Sequence, residues 1–173
     1  METMVKVGPR MYTGLGTSWD DKGQSMLTHI FISYDSKRVH SIQTAYILDG
    51  EVQLSDRHGG DGLMFKTVEM DYPSEFLTGI SGYGDNELGD CMVKSLTFET
   101  NRRKFGPFGT EKGTHFCIQM GTKLRLFGGF HGTSNSKYLY SIGVYVKPII
   151  PLEDTESRIT TISTVVKKEQ SDA

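Results

Sequence analysis

Three stretches of this chain share one arrangement, and that repeat limits the fold more than any other feature. His40-Ser41-Ile42, Lys94-Ser95-Leu96 and Tyr140-Ser141-Ile142 each open a run in which apolar and polar residues alternate. Each run is preceded by another strand-like segment and a short polar loop: Ile32-Ser33-Tyr34-Asp35, Ile80-Ser81-Gly82-Tyr83 and Phe130-His131-Gly132. The three serines recur at intervals of 54 and 46 residues. A unit of that length holds about four strands and cannot bury its own apolar face. Three copies therefore predict a closed threefold arrangement, each copy covered by the other two.

The rest of the chain has the same period. Met26–Tyr34, His40–Leu48, Glu51–Asp56, Leu63–Asp71, Phe76–Ser81, Met92–Thr100, His115–Met120, Leu124–Phe130 and Leu139–Lys147 alternate or run apolar, and Gly, Asp, Asn or Pro clusters separate them. Asp49-Gly50 between two such runs is a hairpin signal. No segment holds a 3.6-residue period for ten residues. The expectation is an all-β chain of ten to twelve short strands, forming a sandwich, barrel or prism. The 20 glycines in 173 residues belong to its turns and bulges, where average usage would give about 12. Residues 1–148 read as one domain. Residues 149–173, beginning at the Pro148 and Pro151 strand breakers, read as a flexible polar tail whose centre, Ile159–Val166, has β-propensity.

Several functional classes lose support. A net charge of −2 gives no electrostatic drive toward nucleic acid. No apolar run approaches the roughly 18 residues of a membrane span, and METMVKVGPR has neither the apolar core nor the cleavage site of a secretory signal. The expected location is cytoplasmic or nucleocytoplasmic, with Cys91 and Cys117 as packed, reduced thiols, or as one bridge if the fold juxtaposes them. The five histidines, His29, His40, His58, His115 and His131, lack metal-site spacing. Asp20-Asp21 and Asp56 near His58 would act as acid and base only if folding gathered them, and turn chemistry explains them as well. There is no nucleophile elbow, and Gly59-Gly60-Asp61-Gly62 precedes a strand, which does not make a helix-terminal phosphate site. The chain reads as a non-enzyme with no cofactor and no metal.

Binding is better supported. Tyr12–Gly16, Arg57–Gly62 and Gly82–Asn86 are loops that combine glycine with Asp, Asn, Ser or Tyr, and Thr133–Tyr138 is a fourth polar loop, directly after Gly132. Glycine admits close backbone approach, polar side chains pair with hydroxyls, and an aromatic ring covers a C–H face, which is what a sugar requires. Tight β-turns use the same residues.

The order of the segments resembles the plant jacalin-related lectin family over about residues 5–148. The resemblance is carried by VKVGP at 5–9, GTSWDD at 16–21, SIQTAYILDGE at 41–51, LSDRHGGDG at 54–62, MDYPSEFLTGISGYGD at 70–85, VKSLTFETNRRKFGPFGTEKGTHF at 93–116 and FGGFHGTSNSKYLYSIGVYVKP at 127–148. It implies a β-prism of three four-stranded antiparallel sheets with pseudo-threefold symmetry, and the cytoplasmic, mannose-specific branch of the family. It also implies a sugar site between a glycine-rich N-terminal loop and a G-x-x-x-D loop before the last strand. Gly16 matches the first loop, whereas Arg10, Met11 and Tyr12 stand where Trp-Gly-Gly is usual. In the second, Ser136, Lys137, Tyr138 and Tyr140 occupy the pattern, with Lys137 and Tyr138 matching backbone N–H donors, Ser136 replacing the glycine and Tyr140 the aspartate. A second site implied by the resemblance uses Gly59, Gly60 and Asp61, with His40 at its aspartate position and Asp35 nearby.

A charge-assisted hydrogen bond contributes about 1.5–3 kcal/mol, and millimolar binding amounts to only about 4 kcal/mol, so losing the aspartate matters. Two expectations follow. One is a mannose-type carbohydrate-binding lectin of plant defence with an altered primary site. The other is a lectin-fold protein acting on protein partners, similar to the jacalin-type antiviral factors that restrict virus movement. The implied fold also commonly forms homodimers.

Overall fold

The computed structural model describes residues 3–11, 14–85 and 91–148. Strands are β1 (Val5–Met11), β2 (Thr17–Asp20), β3 (Leu27–Tyr34), β4 (Val39–Leu48), β5 (Glu51–Leu54), β6 (His58–Gly59), β7 (Met64–Glu69), β8 (Leu77–Gly84), β9 (Val93–Thr100), β10 (Lys104–Gly109), β11 (Thr114–Gln119), β12 (Phe127–Ser134) and β13 (Leu139–Val146). There is no helix among the described residues. All pairings are antiparallel, in three sheets ordered β1-β13-β12-β2, β5-β4-β3-β7 and β10-β9-β8-β11, with the two-residue β6 also pairing β4. This is the all-β prism of three antiparallel sheets that the repeat and the resemblance imply.

The registers show the threefold relation. Ser41, Ser95 and Ser141 are buried at one ladder position, opposite Ser33, Tyr83 and Thr133. Each central hairpin slips register at its start, at Leu27/His29, Leu77/Gly79 and Phe127/Gly129, and again at its far end, at Ser33/Tyr34, Tyr83/Gly84 and Thr133/Ser134. Alternation sends Ile30, Ile32 and Ile42 inward from one sheet, Ile80, Leu96 and Phe98 from the second, and Phe130, Ile142 and Val144 from the third, all essentially solvent-free. Burying each such side chain contributes about 1.5–3 kcal/mol, and the edge-on contact of Phe98 with Phe130 ties two sheets together. Asp49 and Gly50 both have positive φ, at 52° and 80°, as the Asp-Gly hairpin requires.

Four strands fall outside the runs expected from alternation. β1 and β10 carry Gly8-Pro9 and Gly106-Pro107, and their ladders break there, between Val7 and Arg10 and between Phe105 and Phe108. Proline has no ladder donor and is confined to edges and bulges, so these edge strands do not read as strands. β2 and β6 are too short to show a period. Two starts also move: β8 begins at Leu77 and extends to Gly84, and β12 begins at Phe127 and extends to Ser134. The tail expected from residue 149 lies outside the described residues.

Candidate functional site

The loops that precede the repeated serines gather at one end of the sheets, and each is tied by the same internal bridge. In the first, Asp35 Oδ1 accepts the Lys37 and Arg38 backbone N–H groups (2.7 and 2.9 Å), and its Oδ2 meets His40 Nε2 at 2.7 Å. Burial works against the Asp35 carboxylate, but these bonds outweigh it and hold the group below its ordinary pKa. In the last, Asn135 Oδ1 accepts the Lys137 and Tyr138 N–H groups, both at 2.8 Å, and Nδ2 donates to the Tyr140 hydroxyl at 2.7 Å. In the middle, Asp85 bonds the Lys94 ammonium. A side chain at the loop's start therefore clasps the residue just before each serine: His40, Lys94 and Tyr140.

The last of these bridges changes what Gly16 and Tyr140 can do. Gly16 lies on the Ser134 carbonyl and the Tyr140 ring, so that a Cβ at residue 16 would come within 2.5 Å of the one and 2.9 Å of the other. The Lys137 and Tyr138 N–H groups are occupied by Asn135. The cradle between Gly16 and Tyr140 thus presents a phenol ring and spent donors where the resemblance implies a carboxylate and free amides. Tyr12 and Thr13 lie outside the described residues.

Ser136, Lys137 and Tyr138 instead meet the residues expected for the second site. Gly60 packs against the Ser136 carbonyl and the Lys137 backbone too closely for a side chain. His40, Asp61, Ser136, Lys137 and Tyr138 line one cleft of about 250 Å³. The His40 and Tyr138 rings are 5.2 Å apart, and the Arg38 guanidinium lies 5.1 Å from the Tyr138 ring centre. The Asp61 carboxylate is 82 % exposed and takes a 2.5 Å ion pair from Arg57, which leaves oxygen lone pairs for a ligand. Gly59 pairs with Ser41 at the cleft's base and has φ of 111°. Of the ten candidate residues, eight surround or underpin this cleft, with Asp35 acting through His40. Gly16 and Tyr140 form the separate cradle. The arrangement offers a ring face, an acceptor carboxylate and hydroxyl and ammonium donors, which suit a neutral polyol.

Asn135, although inside the Thr133–Tyr138 loop, and Arg38 are not among the candidate site residues that the sequence points to. Their signal was present: Asp35-Ser36-Lys37 and Asn135-Ser136-Lys137 are the same tripeptide pattern in two copies of the repeat.

Folding also brings one of the Asp20-Asp21 carboxylates to His58. His58 Nε2 lies 2.9 Å from Asp21 Oδ2, across two sheets, with Trp19 stacked on the imidazole at 3.9 Å. Both side chains are only 10 % exposed. The pair is a largely buried inter-sheet clasp, its imidazole covered by the Trp19 ring. The Tyr145 hydroxyl donates to Asp20, which pushes its pKa up to about 12, and burial holds His131 below its usual value while its Nε2–H donates to the Val7 carbonyl (3.0 Å). Among the described residues no three His, Cys, Asp or Glu side chains are grouped to hold a metal. Cys91 is buried as expected, whereas Cys117, expected to be packed, is exposed, because it takes the outward position of β11 between the buried Phe116 and Ile118; neither is in a disulfide.

Comparison with known proteins agrees with this fold. Residues 9–145 match the Jacalin-like lectin domain. The chain is 40% identical over 156 residues to Protein RESTRICTED TEV MOVEMENT 1 of Arabidopsis thaliana, covering 86% of this chain and 89% of that one. Among solved structures it is similar to a single-chain recombinant jacalin (TM-score 0.75, 30% identity, 86% of this chain and 97% of that one). It is also similar to a mannose-binding lectin from Champedak (TM-score 0.74, 32% identity, 86% and 99%). With the threefold registers, the paired loops and these matches in agreement, the chain belongs to the jacalin-like lectin domain family.

Proposed function

We propose that this protein is a mannose-type carbohydrate-binding lectin of plant defence whose sugar contact lies in the His40–Asp61–Tyr138 cleft, with the Gly16–Tyr140 cradle closed. The observation that carries this reading is the meeting of an aromatic face, a carboxylate and several polar donors in one cleft, beside a cradle whose amides Asn135 has already taken. Likeness to a mannose-binding lectin supports the sugar class. On this reading the chain is not an enzyme, and it resides in the cytoplasm, as live imaging of a fluorescent fusion would show.

Calorimetric titration with methyl mannoside, glucose, galactose and short mannosides tests it. Mannoside binding is expected, weakened about tenfold by Asp61→Asn, since a charge-assisted acceptor is lost, and changed less than about twofold by Tyr140→Asp. Binding gained only in Tyr140→Asp would overturn it, because the cradle would then be the family's site, disabled.

A second reading has its own observation. Leu48, Val52 and Leu54 are exposed along the β5 edge of the β5-β4-β3-β7 sheet, and Leu63, Met64 and Phe65 at its opposite, β7 edge; large exposed apolar side chains at sheet edges suit contact with another protein. Absence of sugar binding in every variant would favour that reading, with restriction of virus movement as its biological setting.

A further inference from the structure

The cleft between the β3–β4 loop and the β10–β11 loop is the threefold counterpart of the His40–Tyr138 cleft, with different chemistry. It also measures about 250 Å³ and is lined by Ser36, Lys37, Arg38, Lys94, Thr110 and Lys112. Ser36 and Lys37 repeat Ser136 and Lys137. Arg38 stands for Tyr138 and Lys94 for His40, while Thr110–Lys112 occupies the edge loop that Gly60 and Asp61 supply in the other cleft. The exchanges replace a ring and an imidazole by cations and bring Lys112 into the lining.

Four cations therefore surround one opening. The Lys94 ammonium is held by Asp85, and this pair is partly buried, with side chains 16% and 28% exposed. Arg38 contacts Met92 Sδ at 2.8 Å and the Tyr138 ring. Lys37 and Lys112 are exposed and form no ion pair among the described residues. Among the described residues the carboxylates nearby are Asp85, held to Lys94, Asp35, held by His40 and two backbone N–H groups, and, in the edge loop, Glu111; residues 86–90 lie outside the described set. Four backbone N–H groups here are already engaged: Asp35 takes those of Lys37 and Arg38, the Lys94 carbonyl that of Thr110, and the Thr110 carbonyl that of Lys112. What faces the opening is ammonium, guanidinium and hydroxyl. A neutral sugar would find no uncommitted carboxylate among the lining residues, whereas a tetrahedral oxyanion presents three or four acceptors to those donors.

We propose that this cleft binds a phosphomonoester, with Lys37, Arg38, Lys94 and Lys112 facing the phosphate oxygens and Ser36 and Thr110 donating from their hydroxyls. It is a site separate from the sugar cleft and does not depend on sugar binding there. The phosphate group is the recognised chemistry, whether free or carried on a sugar.

The test is an amide-resolved NMR titration of the full chain with inorganic phosphate, mannose 6-phosphate and mannose, each against sodium chloride at matched ionic strength. Saturable shifts centred on Thr110 and Lys112 are expected with both phosphates. The Lys37→Gln/Lys112→Gln double variant, altered only on the surface, should keep its melting temperature and lose about tenfold or more in phosphate affinity. Tighter binding of mannose 6-phosphate than of phosphate would assign the site to a phosphorylated sugar, and equal binding would assign it to the phosphate group alone. Shifts no larger than those from sodium chloride, or an affinity unchanged in the double variant, would overturn the proposal.

Discussion

The two clefts at the loop end of the prism have one backbone and two chemistries. Both rest on a central hairpin that slips register at its far end, on an edge-strand glycine paired with a repeated serine, and on a loop that presents Ser-Lys followed by a large side chain. One has Tyr138, His40 and Asp61 where the other has Arg38, Lys94 and Lys112. The difference teaches that backbone and recognition are separable here. Bridges within each loop hold its shape, which leaves the positions facing solvent free to be tyrosine or arginine. Arg38 forms a common wall, since it lines the basic cleft and lies over the ring that lines the neutral one.

The most damaging way to break the comparison is at the glycines beneath the clefts. A Cβ at Gly59 would fall well inside contact distance of the His40 carbonyl oxygen, and one at Gly109 would meet the Lys94 carbonyl the same way, with φ of 111° and 101°. Gly59→Ala and Gly109→Ala should each cost about 3 kcal/mol or more, measured by denaturant unfolding, because clash adds to backbone strain. Equal losses would support equivalent backbones; a loss confined to one would separate them. Met11 occupies the third equivalent position, paired with Ser141 at φ of 76°.

Acid provides a control at the opposite end. Glu75 is fully buried, and hydrogen bonds from Arg103, with others from the Asp71 backbone and Thr100, outweigh burial and hold its pKa at about 2, against an ordinary 4.5. A depressed carboxylate stabilises the fold fully above pH 4.5 and loses that contribution as pH falls through 2. The contribution is about 3 kcal/mol. Glu75→Gln should therefore flatten the stability–pH curve in that window. Ligand binding in both clefts, measured at neutral pH, should persist, since the Glu75 network touches neither.

The smallest effect is the most local. Asn135→Ala frees the Lys137 and Tyr138 N–H groups and the Tyr140 hydroxyl on an exposed loop, and should cost only about 1 kcal/mol. Exchange of those two amides should speed up while Lys37 and Arg38, held by Asp35, stay as they were.

Much of this architecture was legible in sequence, and what was not has a physical cause. Alternation identified the central hairpins because their inward residues meet one core, as Ile30, Ile32 and Ile42 do. It missed β1 and β10 because an edge strand tolerates proline and need bury only part of a face. Gly60 and Ser136 were read as parts of two different sites because the chain separates them, and only the packing of two copies of the repeat puts one against the other. The Asn135 bridge was written in the parallel between residues 35–37 and 135–137, which becomes informative once the two loops are superposed.

The sheet order has a consequence in time. Two sheets are contiguous in the chain, β3 through β7 and then β8 through β11, whereas the third joins β1 and β2 to β12 and β13, with Val5 opposite Val146. As the polypeptide leaves the ribosome, the basic cleft, built from residues 36–112, has all its parts well before the chain is finished. The neutral cleft needs residues 136–138, and β1 and β2 wait for partners made last. Their closure over so long a loop is the step with the greatest entropic cost, and until it occurs the apolar faces of the first two sheets remain open to water.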